Sequence, residues 1–141
     1  MSTVSSLMPL ILDTISKEQV ERLVNQHLRN PGEFWARYPV PVNPLLADEE
    51  TIKGHVVWRG KETWFFTNWY IAGGLRKQGR RFPEHRNEYA EIAEELMRRS
   101  YKLVRKEGFR EYYDARTGKG GGAFDFGWST LLLDMVYDVK A

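Results

Sequence analysis

Trp64-Phe65-Phe66-Thr67-Asn68-Trp69-Tyr70-Ile71-Ala72-Gly73-Gly74-Leu75 is the stretch on which the fold turns. Its apolar residues run almost all the way round a helical wheel, so a helix here is buried on more than one side. It is expected to cover Trp64 to Lys77 and to stop at Gly79. The segment that follows is built differently. From Pro83, at an N1-like position, to Lys106, residues Tyr89, Ile92, Ala93, Leu96, Met97, Leu103 and Val104 form one stripe, with Glu and Arg on the opposite face. That pattern suits a helix packed on one side and solvated on the other, closed by Gly108.

Working towards the N-terminus, a second amphipathic helix begins near Ser16, where Ser16-Lys17-Glu18-Gln19 has capping-box spacing. Val20, Leu23, Val24, His27 and Leu28 fall on one face, and Asn30-Pro31-Gly32 ends it. His27 has no second ligand nearby and reads as a packed histidine rather than a metal site. A shorter helical stretch is expected from Val4 to Leu12. Between them and the central helix, Pro31, Pro39, Pro41 and Pro44 forbid regular helix over most of residues 31–60, although Phe34, Trp35 and Tyr38 give that loop apolar weight. Downstream, the glycine-rich residues 111–127 read as a loop, and Trp128 to about Val139 as a short apolar helix. The fold class expected is all-α: antiparallel helical hairpins with long functional loops at one end.

At 141 residues the chain has material for one domain and no more, residues 1–141. A formal charge of +2 gives little electrostatic case for nucleic acid or an acidic membrane surface. The basic run Arg76-Lys77-Gln78-Gly79-Arg80-Arg81 is expected to be a solvated helix end. No apolar run approaches the roughly 20 residues that span a bilayer. With no cysteine there are no disulfides or thiolate metal sites, and a reducing cytoplasm fits. No cofactor or metal is implied. Five Trp, seven Tyr and seven Phe are many for this length, and several sit beside Gly, Arg and carboxylates in irregular segments, where sugar-binding sites also place them.

The chemistry concentrates in Gly108-Phe109-Arg110-Glu111-Tyr112-Tyr113-Asp114, then Thr117-Gly118-Lys119-Gly120-Gly121-Gly122, then Asp125-Phe126-Gly127-Trp128. A carboxylate just after a helix stop is fixed at a loop mouth, and glycines let backbone approach a ligand closely. Tyr112, Phe126 and Trp128 offer apolar faces for a sugar ring. The same run also reads as a plain connection between helices, and Asp125 as a cap for the Trp128 helix. It is not a P-loop: no Gly-Lys-Ser/Thr ending is present and no strand is expected before it.

The Glu-Tyr-Tyr-Asp…Thr-Gly-x-Gly…Asp-Phe-x-Trp segment resembles the C-terminal signature of α/α-toroid hydrolases: mannosylglycerate hydrolases, glycoside hydrolase family 63 glucosidases and, more distantly, trehalases. Val57-Trp58-Arg59-Gly60…Trp64…Thr67-Asn68-Trp69-Tyr70 resembles the same family's Trp-Arg-Gly-Pro-x-Trp-x-x-x-Asn-Trp motif. Ser5-Ser6-Leu7-Met8-Pro9-Leu10 with the Phe34-Trp35…Tyr38-Pro39-Val40-Pro41 loop is a weaker third match. The resemblance implies part of an (α/α)6 toroid, incomplete in this chain, with the Trp64–Leu75 segment as an inner helix and the Pro83–Lys106 segment as an outer one. It makes Glu111 the general base of an inverting hydrolase, and Trp58, Arg59, Trp64 and Asn68 lining residues of the sugar site. Tyr112, Asp125 and Trp128 join them as expected sugar contacts.

Inverting glycosidases need two carboxyl groups about 6.5–9.5 Å apart, one protonating the leaving oxygen and one activating water. In these relatives the acid is an Asp far upstream, and no residue here matches it. The chain departs from the family in having Lys61-Glu62-Thr63 between Gly60 and Trp64, one residue more than usual, which adds a carboxylate expected to be a solvated loop residue. The expected substrate is a small α-linked glycoside such as mannosylglycerate or glucosylglycerate, or an α-glucoside. The expected partners are that carbohydrate and an upstream toroid segment or further copies of the chain, with neither nucleic acid nor membrane. The alternative is a non-catalytic helical module that binds carbohydrate or protein.

Overall fold

A computed structural model of the chain describes residues 3–47 and 60–138. The fold is mostly helical, with a small three-stranded sheet that an all-α reading does not contain. A 3-10 helix, Val4–Ile11, leads into α1, Lys17–Arg22, which continues as a π-helical segment, Leu23–Leu28. The Ser16 capping box forms in full: the Ser16 side chain accepts from the Gln19 N–H, and the Gln19 side chain accepts from the Ser16 N–H. After the proline-rich segment come β1, Glu62–Thr63, and the central helix α2, Phe65–Arg81. A 3-10 turn, Pro83–His85, opens α3, Arg86–Glu107, which ends at Gly108. β2, Arg110–Asp114, and β3, Gly120–Phe124, form a hairpin, and a 3-10 turn, Gly127–Thr130, precedes α4, Leu131–Asp138.

Helices α2 and α3 form an antiparallel hairpin. Gly79 meets the Arg86 backbone near the turn, Asn68 bonds Ser100 further along, and Phe65 shares a buried cluster with Leu103 at the far end. Ile71, Ala72 and Leu75 of α2 join Tyr89, Ile92, Ala93 and Leu96 of α3 in the main core, with Leu7, Leu10, Val20, Val24 and Leu28. Each large apolar side chain so removed from water stabilises the fold by about 1.5–3 kcal/mol. No residue of α2 from Phe65 to Gly79 is fully exposed, as its all-round apolar pattern requires.

The central helix does not stop at Gly79. A Cβ there would lie 3.2 Å from the Arg86 α-carbon, so the glycine is the residue that lets the two helices close up, not a helix end. The basic run is likewise not a solvated end. Lys77 Nζ donates to Ile11 O (2.8 Å), Gln78 Nε2 to Leu10 O (2.5 Å) and Leu12 O (3.0 Å), and Arg81 to Ile15 O (3.1 Å). The last carbonyls of a helix have no partners within it. This run supplies them for the Val4–Ile11 helix and so ties it to α2.

The glycine-rich segment expected as a loop is mostly strand. β1 pairs antiparallel with β2, Glu62 opposite Asp114 and Thr63 opposite Tyr113, and β2 pairs with β3. Its third strand comes from a segment some fifty residues upstream, which no local pattern announces. Pro41 bridges to Thr63, Thr63 Oγ1 donates to Val40 O (3.0 Å), and the Tyr38 N–H donates to Ala115 O (2.9 Å). The proline-rich loop is thereby stitched to the edge of the sheet and to the hairpin turn.

Candidate active site

The sheet carries the aromatic residues to the N-terminal end of α2. With Glu62 opposite Asp114 and Thr63 opposite Tyr113, the next cross-strand neighbour of Trp64 is Tyr112, and their rings lie 5.4 Å apart. Trp64 also approaches Trp128 (6.4 Å), which meets Phe66 at 5.3 Å and Phe126 at 5.6 Å. Three expected sugar-contacting residues, Trp64, Tyr112 and Trp128, are therefore in one cluster. They are not equally available. Trp64 is 3% exposed and forms the floor, whereas Trp128 is 42% exposed and presents a face outward.

Glu111 lies in β2, partly buried, next in sequence to Tyr112. Its Oε2 accepts the Ala123 N–H at 2.9 Å. Two residues along, Tyr113 is buried and stacks on Phe65 (5.0 Å), and its hydroxyl donates to Gly108 O (2.6 Å) and accepts from the Arg110 N–H (3.0 Å). Ser129 Oγ donates to the Arg110 carbonyl. Burial pushes the Tyr113 phenol above its ordinary value, against the lowering effect of its bonds with Arg110 and Ser129, so it is a fixed neutral anchor for this end of β2. A carboxylate on a strand pinned on both sides by such bonds has its backbone position set, and the Ala123 N–H sets the side chain.

Asn68 is placed elsewhere. It is fully buried, and its amide is used up inside the fold: Oδ1 accepts the Val40 N–H (2.8 Å), while Nδ2 donates to Pro39 O (2.7 Å) and Ser100 Oγ (3.2 Å). It holds the proline-rich loop against α2 and offers no open face to a ligand. Asp125 is exposed, with φ of +51°, a left-handed conformation that Asp tolerates better than most residues. It does not cap the following turn: the N-cap of Gly127–Thr130 is Phe126, with no side-chain cap bond. Trp58 and Arg59 lie outside the described residues.

Glu62 is not a solvated loop residue. It is the first residue of β1 and half-buried, and its carboxyl folds back over Gly60. Burial raises its pKa, opposed by its own backbone N–H, and Asp114 across the strand pair raises it further. Asp114 goes the other way. Burial works against its ionisation, but the Thr117 N–H and hydroxyl and the Arg116 N–H outweigh that and hold it below the usual carboxylate range. Asp114 thus closes the hairpin turn. His27 bonds Glu33 (2.7 Å), and among the described residues no group of three His, Cys, Asp or Glu is placed to hold a metal ion. Nor is any helix among them long and apolar enough to cross a membrane.

Sequence reasoning missed the Ala123 N–H, because a backbone donor leaves no residue signature. It also missed the place of Phe66 in the cluster, which helical spacing assigns to general burial.

Known proteins similar to this chain include mannosylglycerate hydrolases. The model of the mannosylglycerate hydrolase MGH1-like glycoside hydrolase domain matches residues 1–129. The chain is 34% identical over 131 residues to a mannosylglycerate hydrolase of Thermus thermophilus, covering 92% of this chain and 28% of that protein. It is 38% identical over 82 residues to a mannosylglycerate hydrolase of Rubrobacter radiotolerans, covering 57% of this chain and 16% of that one. The crystal structure of a GH63 mannosylglycerate hydrolase from Thermus thermophilus in complex with glucose superimposes with a TM-score of 0.75 at 29% identity, over 97% of this chain and 31% of that chain. The same enzyme in complex with Tris and D-glycerate gives 0.73, again at 29% identity, covering 97% of this chain and 30% of that one. The chain thus spans less than a third of the length of these relatives. By sequence and by structure, it belongs to the mannosylglycerate hydrolase MGH1-like glycoside hydrolase family.

Proposed function

We propose that this chain supplies the general-base half of an inverting glycosidase site within an (α/α)6 toroid. The observation that carries the reading is how Glu111 is held: a carboxylate on a pinned strand, one oxygen bound by the Ala123 N–H, next in sequence to Tyr112 of the Trp64–Tyr112–Trp128 cluster. A carboxylate oriented through one oxygen keeps the other free to take a proton from water. In the inverting mechanism that water attacks the anomeric carbon from the face opposite the leaving oxygen, which a second carboxyl group protonates. We assign that acid to a toroid segment outside residues 1–141, consistent with the chain's 28% share of its Thermus relative. The outward face of Trp128 is the proposed platform for the sugar ring. A small α-linked glycoside such as mannosylglycerate is the proposed substrate, on the names of the relatives and on the glucose and D-glycerate of the Thermus complexes.

The toroid reading is supported by the superposition on the Thermus GH63 structure, of which this chain covers 31%, and by Phe66, Trp69 and Tyr70 of α2, large apolar residues that this chain leaves only partly buried. In the assembled toroid, Glu111→Gln keeps the shape of the side chain and removes the base. Turnover of mannosylglycerate is expected to fall about 10²–10⁴-fold, the range of acid–base catalysis, with sugar affinity little changed. A loss under about tenfold would take Glu111 out of the role. Sugar binding with no hydrolysis in the intact assembly would favour a non-catalytic carbohydrate-binding module instead.

A further inference from the structure

The pairing of β2 with β3 is irregular at one point, and it is at Glu111. Arg110 lies opposite Phe124 and Tyr112 opposite Gly121, so one residue of β2, Glu111, faces two of β3, Gly122 and Ala123. Gly122 has φ of +66°. An extra residue led by a glycine in the left-handed region is the G1 type of β-bulge, a device that re-aims a side chain or frees a backbone group next to a site. Here it frees a specific one. The Ala123 N–H is displaced from the strand ladder and donates to Glu111 Oε2 at 2.9 Å. The bulge is itself held in place, because Arg110 Nη2 donates to the Gly122 carbonyl at 2.9 Å while its guanidinium covers the Phe124 ring at 3.6 Å.

Gly122 meets a second demand that its backbone angle does not explain. A Cβ at that position would sit 2.6 Å from Glu111 Cβ and 2.9 Å from its carboxyl carbon, well inside contact distance. The carboxylate occupies the space a side chain would take.

We propose that Gly122 is a positioning residue for the catalytic carboxylate: its missing side chain makes the socket for Glu111, and its bulge turns the Ala123 N–H into the donor that fixes which oxygen remains free. The inference rests on the assignment of Glu111 as general base. It concerns a residue without a side chain, which acts through Glu111.

Two functions of Gly122, its φ and its open space, separate by substitution. Asn tolerates a left-handed φ far better than Ala but still carries a Cβ. If only the angle matters, Gly122→Asn restores most of what Gly122→Ala loses. If the socket matters, both variants lower kcat by about 10–100-fold, part of the 10²–10⁴ available to a general base, with KM within about twofold. Gly122→Ala made on top of Glu111→Gln then adds little, because the group it displaces is no longer a base. All are assayed in the assembled toroid, with circular dichroism reporting the fold. Asn rescue, or a loss that is additive with Glu111→Gln, overturns the socket. So does a Gly122→Ala variant that fails to fold, since the glycine would then serve the fold and not the carboxylate. Glu111→Gln with unchanged turnover would instead overturn the assignment of the base, so the two failures are told apart.

Discussion

Asn68 offers the sharpest test of how the fold supports the site. Asn68→Ala removes an amide that is fully buried and satisfies two backbone groups, the Val40 N–H and the Pro39 carbonyl, at 2.8 and 2.7 Å. Leaving a buried donor or acceptor unpaired costs about 1–3 kcal/mol, so two together cost about 2–6 kcal/mol. Against a total stability of about 5–15 kcal/mol for a domain, that is a large fraction. The third contact, to Ser100 Oγ at 3.2 Å, is longer, and Ser100→Ala leaves both backbone groups satisfied, so it is expected to cost about 1 kcal/mol or less. Urea unfolding of wild type and the two variants, compared through midpoints at constant m, gives the difference directly. The loop released by Asn68→Ala is the one whose Val40 and Pro41 brace Thr63, the residue before Trp64, so intrinsic fluorescence should change as well. An Asn68→Ala loss below about 1 kcal/mol, or one equal to that of Ser100→Ala, would refute the claim that this side chain clasps the loop.

Two further expectations concern pH. His85 bonds both Glu88 (3.2 Å) and Glu21 (2.8 Å), linking α1 to the start of α3, and the Glu88 bond is the largest influence raising its pKa above 6.5, opposed by burial and reinforced by Glu21. A raised histidine pKa stabilises the fold fully below the ordinary value and loses that contribution as pH climbs through the folded one. The melting temperature should therefore fall from about pH 6 to about pH 8, less steeply in His85→Gln and in high salt, and an identical slope in the variant would break the link. Glu62 is raised by burial and by Asp114, so its ionisation opposes folding as pH rises above 4.5. Glu62→Gln should melt higher than wild type at about pH 7 and match it near pH 4, and a lower melting temperature at neutral pH would show the ionised carboxyl to be stabilising.

Much of this was legible in the order of residues, because its causes are local. The Ser16 box closes within four residues, the stripe Tyr89–Ile92–Leu96–Leu103 repeats with the helical period, and Gly108 ends the helix it follows. The contrast between α2, apolar all round, and α3, apolar on one face, was visible for the same reason. The family resemblance was also carried by short runs, around Glu111 and around Trp64.

Where the sequence was silent, the cause lies in residues far apart along the chain. Gly120-Gly121-Gly122 has the composition of a loop and becomes a strand only because Arg110–Asp114 lies beside it, itself paired with Glu62–Thr63 from some fifty residues upstream. Arg76–Arg81 reads as a solvated end until the carbonyls of Leu10, Ile11 and Leu12 are folded onto it. Asn68 resembles a residue of a sugar-site motif by its letters and belongs to the core by its burial. Periodicity, caps and short motifs are enough to say which helices form, which faces they bury and which carboxylate carries the family's signature. How that carboxylate is held emerges only once the chain is folded, because its partner is a backbone N–H freed by a bulge, and no side-chain pattern encodes it.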